Sequence, residues 1–170
     1  MAELILGGAR SGKSTWAEQR AIDSGLSVTV VATAEIRDEE MEKRIRHHRD
    51  RRPKEWLCVE EPLHLASALI KHAAPDRCLL VDCLTLWLSN LLLTDRLEEA
   101  LPSFLKTLPH LPGRILLVSN EVGMGIVPDN ALARQFRDEQ GLLNQQVAAL
   151  CERVTLVVAG LPLELKHWRA

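Results

Sequence analysis

Basic residues are not in surplus in this 170-residue chain: 21 lysines and arginines face 23 aspartates and glutamates, for a formal net charge of -2. That balance argues against general nucleic-acid binding, which usually shows a basic excess. No C-x-x-C pair occurs among the four cysteines, Cys58, Cys78, Cys83 and Cys151. Three of them lie in or beside apolar stretches, so buried reduced thiols are expected rather than disulfides or zinc ligands. No apolar run approaches the length of a membrane span. The one at the start is too short for a signal peptide and leads straight into a glycine-rich loop. Those absences predict a cytoplasmic protein. Repeats, linkers and low-complexity tracts are missing too, so residues 1–170 are expected to form one domain. With 46% of residues hydrophobic and 26% charged, the profile is that of a globular protein.

The strongest positive signal is the stretch Leu4-Ile5-Leu6-Gly7-Gly8-Ala9-Arg10-Ser11-Gly12-Lys13-Ser14. A short apolar strand runs into G-x-x-x-x-G-K-S and then into a helix, the order that a phosphate-binding P-loop requires. Glycines at 7, 8 and 12 are expected to let the backbone curl with its N–H groups facing phosphate oxygens. The helix behind them adds the positive end of its dipole. Lys13 is expected to reach the β- and γ-phosphates, and Ser14 to offer its hydroxyl to Mg²⁺. Further on, Cys78 to Asp82 (CLLVD) is an apolar strand closed by a carboxylate, placing Asp82 as a second Mg²⁺-holding group.

Around these motifs, strands alternate with helices. Thr15 to Ser24 reads as a helix stopped by Gly25, and Leu26 to Ala32 as a strand rich in β-branched residues. Lys54 to Glu61 suggests a short strand, followed by a helix with Pro62 at its first position, ending near Ala74. Leu84 to Leu93 and Asp95 to Leu108 read as helical, with Pro102 expected to break the second. Arg114 to Ser119 is an apolar strand, and Asn120 to Pro128 an irregular loop with two glycines. From Asp129 to Cys151 a long helix is expected to present Leu132, Phe136, Leu143, Val147 and Leu150 on one face. Val154 to Ala159 reads as the last strand. Apolar strands between helices imply a mostly parallel sheet with helices on both faces, a single-domain P-loop α/β fold.

The segment from Asp38 to Arg52 reads as a helix with acids in its first turns, arginines in its last, and Pro53 beyond its end. A solvated, well-capped helix explains most of those charges. Met41, Ile45 and His48 share one face at spacings of four and three, while His47 is turned from His48 by about 100°. A neutral imidazole among arginines can attack phosphorus, although an inward histidine also serves simply as a core residue. On the residues alone, an ordinary P-loop small-molecule kinase or a non-catalytic GTP-binding module fits as well.

Four stretches carry a resemblance to a known family: GGARSGKS at 7–14, Ala32-Thr33-Ala34, the run 38–53 with R-I-x-x-H at 44–48, and NEVGMGIVP at 120–128. In this order, over almost the whole chain, they resemble the bifunctional adenosylcobinamide kinase/adenosylcobinamide-phosphate guanylyltransferases of cobalamin biosynthesis. The P-loop is common to many families; the histidine segment and NEVGMGIVP are far more specific. Between Asn90 and Gly113 the chain is compact where some relatives carry an insertion.

The resemblance implies a RecA-like P-loop fold, a homotrimer, and ATP or GTP, Mg²⁺ and a corrinoid as the small molecules bound. It implies phosphorylation of the aminopropanol hydroxyl of adenosylcobinamide, then GMP transfer from GTP through a GMP–histidine intermediate. Carried over by residue, Gly7, Gly8, Ala9, Arg10, Ser11, Gly12, Lys13 and Ser14 bind the triphosphate, and Ala32, Thr33 and Ala34 contact the nucleotide. His48 is the guanylylated nucleophile, Arg49, Asp50, Arg51 and Arg52 lie beside the GMP, and Glu60 and Asp82 are further GTP-contacting acids. Asn120 and Glu121, directly after a strand, are read as corrinoid- or phosphate-facing groups.

Overall fold

The computed structural model of the chain describes residues 1–35, 46 and 52–167. Its elements are β1 (Ala2–Gly7), α1 (Lys13–Ile22), β2 (Ser27–Ala32), β3 (Leu57–Glu60), α2 (Leu65–His72) and β4 (Arg77–Asp82). They continue with α3 (Leu84–Leu93), α4 (Leu97–Thr107), a 3₁₀ turn (Leu108–His110), β5 (Arg114–Asn120), α5 (Ala131–Leu150), β6 (Arg153–Val158) and β7 (Leu161–Lys166). The strands make one sheet in the order β3-β2-β4-β5-β1-β6-β7. Its pairings are parallel except for the antiparallel β6–β7 edge. No helix among the described residues is long and apolar enough to cross a membrane.

Strand periodicity divides the apolar residues between two faces. Leu4, Leu6, Leu79, Val81, Ile115 and Leu117 point to one side, where they meet Leu65, Leu69, Trp87, Leu91, Phe104 and Val147 of the helices α2 to α5. Ile5, Leu80, Leu116 and Val118 point to the other, against Ala17 and Ala21 of α1. The larger core is pinned by Trp87, whose ring meets Phe104 edge-on at 5.0 Å. Its indole N–H donates to the Leu63 carbonyl at 2.9 Å.

Four expectations need correction. Pro62 does not open a helix: the Glu61 carboxylate accepts from the backbone N–H groups of Leu63 and His64 (3.1 and 2.7 Å), and helix α2 starts only at Leu65. Pro102 does not break α4. Proline inside a helix costs about 3 kcal/mol, but Phe104 is buried and Leu101 and Leu105 pack on the core, each worth up to about 1.5–3 kcal/mol. Burial outweighs the missing hydrogen bond. Helix α5 does not bury Leu132 (58% exposed) and leaves Leu150 at the surface, while Gln140 and Asn144 are buried instead. Finally, β7 follows β6 through a two-residue turn whose residues, Ala159 and Gly160, both have positive φ (53° and 79°). That conformation matches the right-handed twist of a tight hairpin. All four cysteines are free, as expected, with Cys58 exposed and the other three buried.

Candidate active site

Five strand ends meet at the carboxyl edge of the sheet, where ligands sit in open α/β folds. Gly7 ends β1, Ala32 ends β2, Glu60 ends β3, Asp82 ends β4 and Asn120 ends β5. The register aligns Ala32 with both Glu60 and Asp82, and Gly7 with Asn120.

The loop from Gly8 to Gly12 is built by contacts from both ends. A Cβ on Gly7 would lie 2.3 Å from Ser11 Oγ and 2.7 Å from the Val157 carbonyl, so only glycine fits. Gly12 has φ 95°, and a Cβ there would come within 3.0 Å of Gly160 Cα. Gly8 lies in open space; the second left-handed position belongs to Arg10, with φ 55°. Holding a non-glycine residue there costs roughly 1–2 kcal/mol. Gly160 N donates to the Ser11 carbonyl at 2.8 Å, so the β6–β7 turn, unforeseen in the sequence, buttresses the loop. Lys13 Nζ donates to the Gly8 carbonyl at 3.0 Å, folding the side chain over the loop. Ser14 stands in the first turn of α1.

Burial holds the Lys13 ammonium below the ordinary lysine range, with neighbouring Cys83 and Asp82 acting the other way. Its charge is therefore lost, as pH rises, earlier than that of a free lysine. Since kcat/KM reports the free enzyme, its alkaline limb for nucleotide is expected to fall below the usual lysine titration. A pH–rate profile checks this, and Lys13→Arg should remove the limb. Burial also raises the Cys83 thiol to about 11, so it stays protonated and is no nucleophile at neutral pH.

Asp82 lies between this lysine and Arg52. The Arg52 guanidinium pairs with the Asp82 carboxylate and also reaches Glu18 of α1 at 3.3 Å. An aspartate at a strand end beside a P-loop serine suits Mg²⁺, which takes one or two protein oxygens and leaves its other positions to phosphates and water. The guanidinium on Asp82 shows that the position accepts a cation. No cluster of three or more acidic, histidine or cysteine ligands occurs among the described residues. Thr33 is fully buried. Its hydroxyl donates to the Cys83 carbonyl (2.7 Å) and accepts from Cys83 N–H (3.0 Å), clamping β2 to β4. The Thr33 hydroxyl is thus engaged within the sheet rather than turned to the site.

At the end of β5 sits a polar network that the sequence pattern did not reveal. Ser119 Oγ, Gln140 and Asn144 bond one another at 2.7–3.0 Å, and Asn144 Nδ2 donates to the Asn120 carbonyl at 3.0 Å. Thr85 Oγ1 accepts from Asn120 N–H at 2.8 Å. The backbone of Asn120 is therefore fixed on two sides, while its side-chain oxygen is buried with no partner among the described residues. Glu121 N–H donates to the Gly7 carbonyl at 3.2 Å, tying this loop to the P-loop. Beyond it Met124, Ile126 and Val127 are exposed.

The structure thus gathers Gly7 to Ser14, Ala32 to Ala34, Arg52, Glu60 and Asp82 at one edge. Glu60 stands four strands from Gly7, or about 19 Å at about 4.8 Å per strand. His48, Arg49, Asp50 and Arg51 lie outside the described residues. A cavity of about 600 Å³ lined by Leu26, Trp56, Leu57 and Arg77 opens at the opposite, amino edge and takes no part in this site.

Comparison with known proteins gives a consistent result. The model of the family described as cobinamide kinase / cobinamide phosphate guanyltransferase matches residues 3–165. The bifunctional adenosylcobalamin biosynthesis protein CobP of Pseudomonas aeruginosa is 57% identical over 169 residues, which is 98% of each chain. CobU of Salmonella typhimurium, described in the same words, is 38% identical over 96% of this chain and 98% of its own. Among solved structures, a KaiC-like protein of Pyrococcus horikoshii aligns with 91% of this chain and 69% of its own at 13% identity and a TM-score of 0.49. Nothing below rests on that distant likeness.

Proposed function

Because the chain belongs to the cobinamide kinase / cobinamide phosphate guanyltransferase family, we propose that its one nucleotide cradle serves both reactions, at different phosphorus atoms. In the first, the substrate's hydroxyl oxygen attacks the γ-phosphorus of ATP or GTP; the bond from that phosphorus to the β-phosphate oxygen breaks, ADP or GDP leaves, and the hydroxyl proton passes to solvent. In the second, the His48 imidazole nitrogen attacks the α-phosphorus of GTP. A P–N bond forms as the bond to pyrophosphate breaks; an oxygen of the corrinoid phosphate then displaces the imidazole and takes the GMP, giving adenosylcobinamide-GDP. Splitting the transfer this way makes each step a displacement between held partners.

The P-loop amides and Lys13 hold the β- and γ-phosphates, so they stabilise the growing charge of either leaving group. Asp82 and Ser14 are the residues that would hold Mg²⁺, which supplies further charge neutralisation on the phosphates when bound. Glu60, far along the edge, is suited to the nucleoside end. The observation that carries the reading is Arg52 paired with Asp82 inside the cradle. Position 48 precedes Arg52 by four residues, at most about 14 Å of chain. Incubation with GTP and Mg²⁺, followed by peptide mass spectrometry, is expected to find one GMP on the peptide containing His48. An unmodified protein, or GMP elsewhere, would refute the assignment.

The protein is further proposed to act as a homo-oligomer, a trimer by family resemblance, in the cytoplasm. Four free thiols suit a reducing compartment. Val158, Leu161, Leu163 and Leu165 leave more than half of each residue exposed at the β7 edge, and an apolar edge strand of this kind invites pairing. Size-exclusion chromatography with light scattering should give three chains per particle, and fewer for Leu163→Glu. An intact wild-type monomer would exclude the oligomer.

A further inference from the structure

We infer that Arg52 is a positioning residue that competes with the divalent cation for the Asp82 carboxylate, so that cation binding and the place of the Arg52 chain are linked. The inference rests on the reading that Asp82 helps to hold Mg²⁺. Three side chains carry it: Arg52, Asp82 and Glu18 are 10%, 18% and 11% exposed, and the guanidinium bridges the two carboxylates. Two cations cannot use the same carboxylate oxygens at full strength, because each repels the other at close range in a partly desolvated site. A cation taking Asp82 therefore releases one of Arg52's two contacts while Glu18 retains the other. The guanidinium pivots rather than leaves.

What lies on either side of Arg52 decides where that pivot is felt. On the carboxyl side, Trp56 N–H donates to the Pro53 carbonyl at 3.1 Å, and Trp56 packs against the core cluster that holds Ile5, Val30 and Leu80. That side is anchored. On the amino side the described residues stop at Arg52, so the pivot is read at the guanidinium itself. The linkage is reciprocal: whatever the cation does to Arg52, Arg52 does to cation affinity.

The test is the factor by which Mg²⁺ changes GDP affinity, measured by calorimetry on the full chain with Mg²⁺ and with EDTA. A contact of Arg52 with the nucleotide that is the same with and without Mg²⁺ cancels in this ratio. Arg52→Gln should raise the ratio about fivefold or more, at the lower end of ordinary coupling, and Arg52→Lys should fall between it and the wild type. A merely structural arginine would lower the melting temperature and leave the ratio where it was; an unchanged or reduced ratio in a folded Arg52→Gln protein overturns the competition. In an Asp82→Asn background the effect of Arg52→Gln should vanish, and its persistence there would equally overturn it. If Asp82→Asn alone leaves the Mg²⁺ dependence intact, the failure lies with the reading of Asp82 as the cation's holder, and the competition falls with it.

Discussion

His48→Ala is expected to abolish covalent labelling of the protein by [α-³²P]GTP and to lower guanylyl transfer on the order of 10⁴-fold or more, the scale seen when a covalent nucleophile is removed. Phosphorylation of the corrinoid hydroxyl persists, because that step takes the γ-phosphoryl group directly and forms no bond to imidazole. The split between the two activities is the informative result. A histidine that only supported the fold would depress both. His47→Ala is expected to label normally, because the family resemblance assigns the nucleophile to position 48. The wild-type label should be acid-labile and base-stable, as a phosphoramidate is. Measuring label, guanylyl transfer and kinase turnover side by side on both variants checks each point. Normal labelling of His48→Ala together with loss in His47→Ala would reverse the assignment.

Much of the site was legible because the P-loop is local: glycine spacing, a lysine and a serine within eight residues specify a backbone shape and a charge. Asp82 was equally readable as the carboxylate that closes an apolar strand. The contacts that complete the site are not local. Arg52 and Asp82 are thirty residues apart, and nothing in either segment names the other. Gly160 N–H supports the Ser11 carbonyl across the sheet, yet β7 itself was missed: Leu161 to Lys166 carries a proline and alternates over an exposed edge, which reads as loop. On α5, Gln140 and Asn144 are buried, although polar side chains are usually exposed. Only the partners Ser119 and Asn120 on β5 explain their burial. Glu3, 2% exposed within an apolar strand, is held by Arg20 at 3.0 Å and Arg114 at 3.3 Å, another pairing of distant segments. Sequence pattern reveals elements and local motifs, whereas charge partners depend on topology.

Lys13→Ala is expected to reduce both activities by about 10²–10³-fold, the usual loss when one charge-stabilising donor is removed from a transition state. The reason is geometric. Whichever phosphorus is attacked, negative charge grows on oxygens held by the same loop: the β-phosphate side when the γ-group leaves, the pyrophosphate when the α-group does. A single ammonium over that loop serves both. The fold should barely notice the change, because the hydrogen bond from Nζ to the Gly8 carbonyl is exposed and such surface losses usually stay within about 0.5 kcal/mol. Lys13→Arg should restore little, since a planar fork replaces a compact point charge on a shorter path to the phosphates. GTP affinity, both turnovers and the melting temperature, measured on the same preparations, decide the matter. Equal losses in both reactions at unchanged melting temperature are the signature of one shared cradle. Loss of the kinase alone would mean that the GTP consumed by His48 is bound somewhere else, and unchanged affinity and turnover would mean that the loop does not hold the nucleotide.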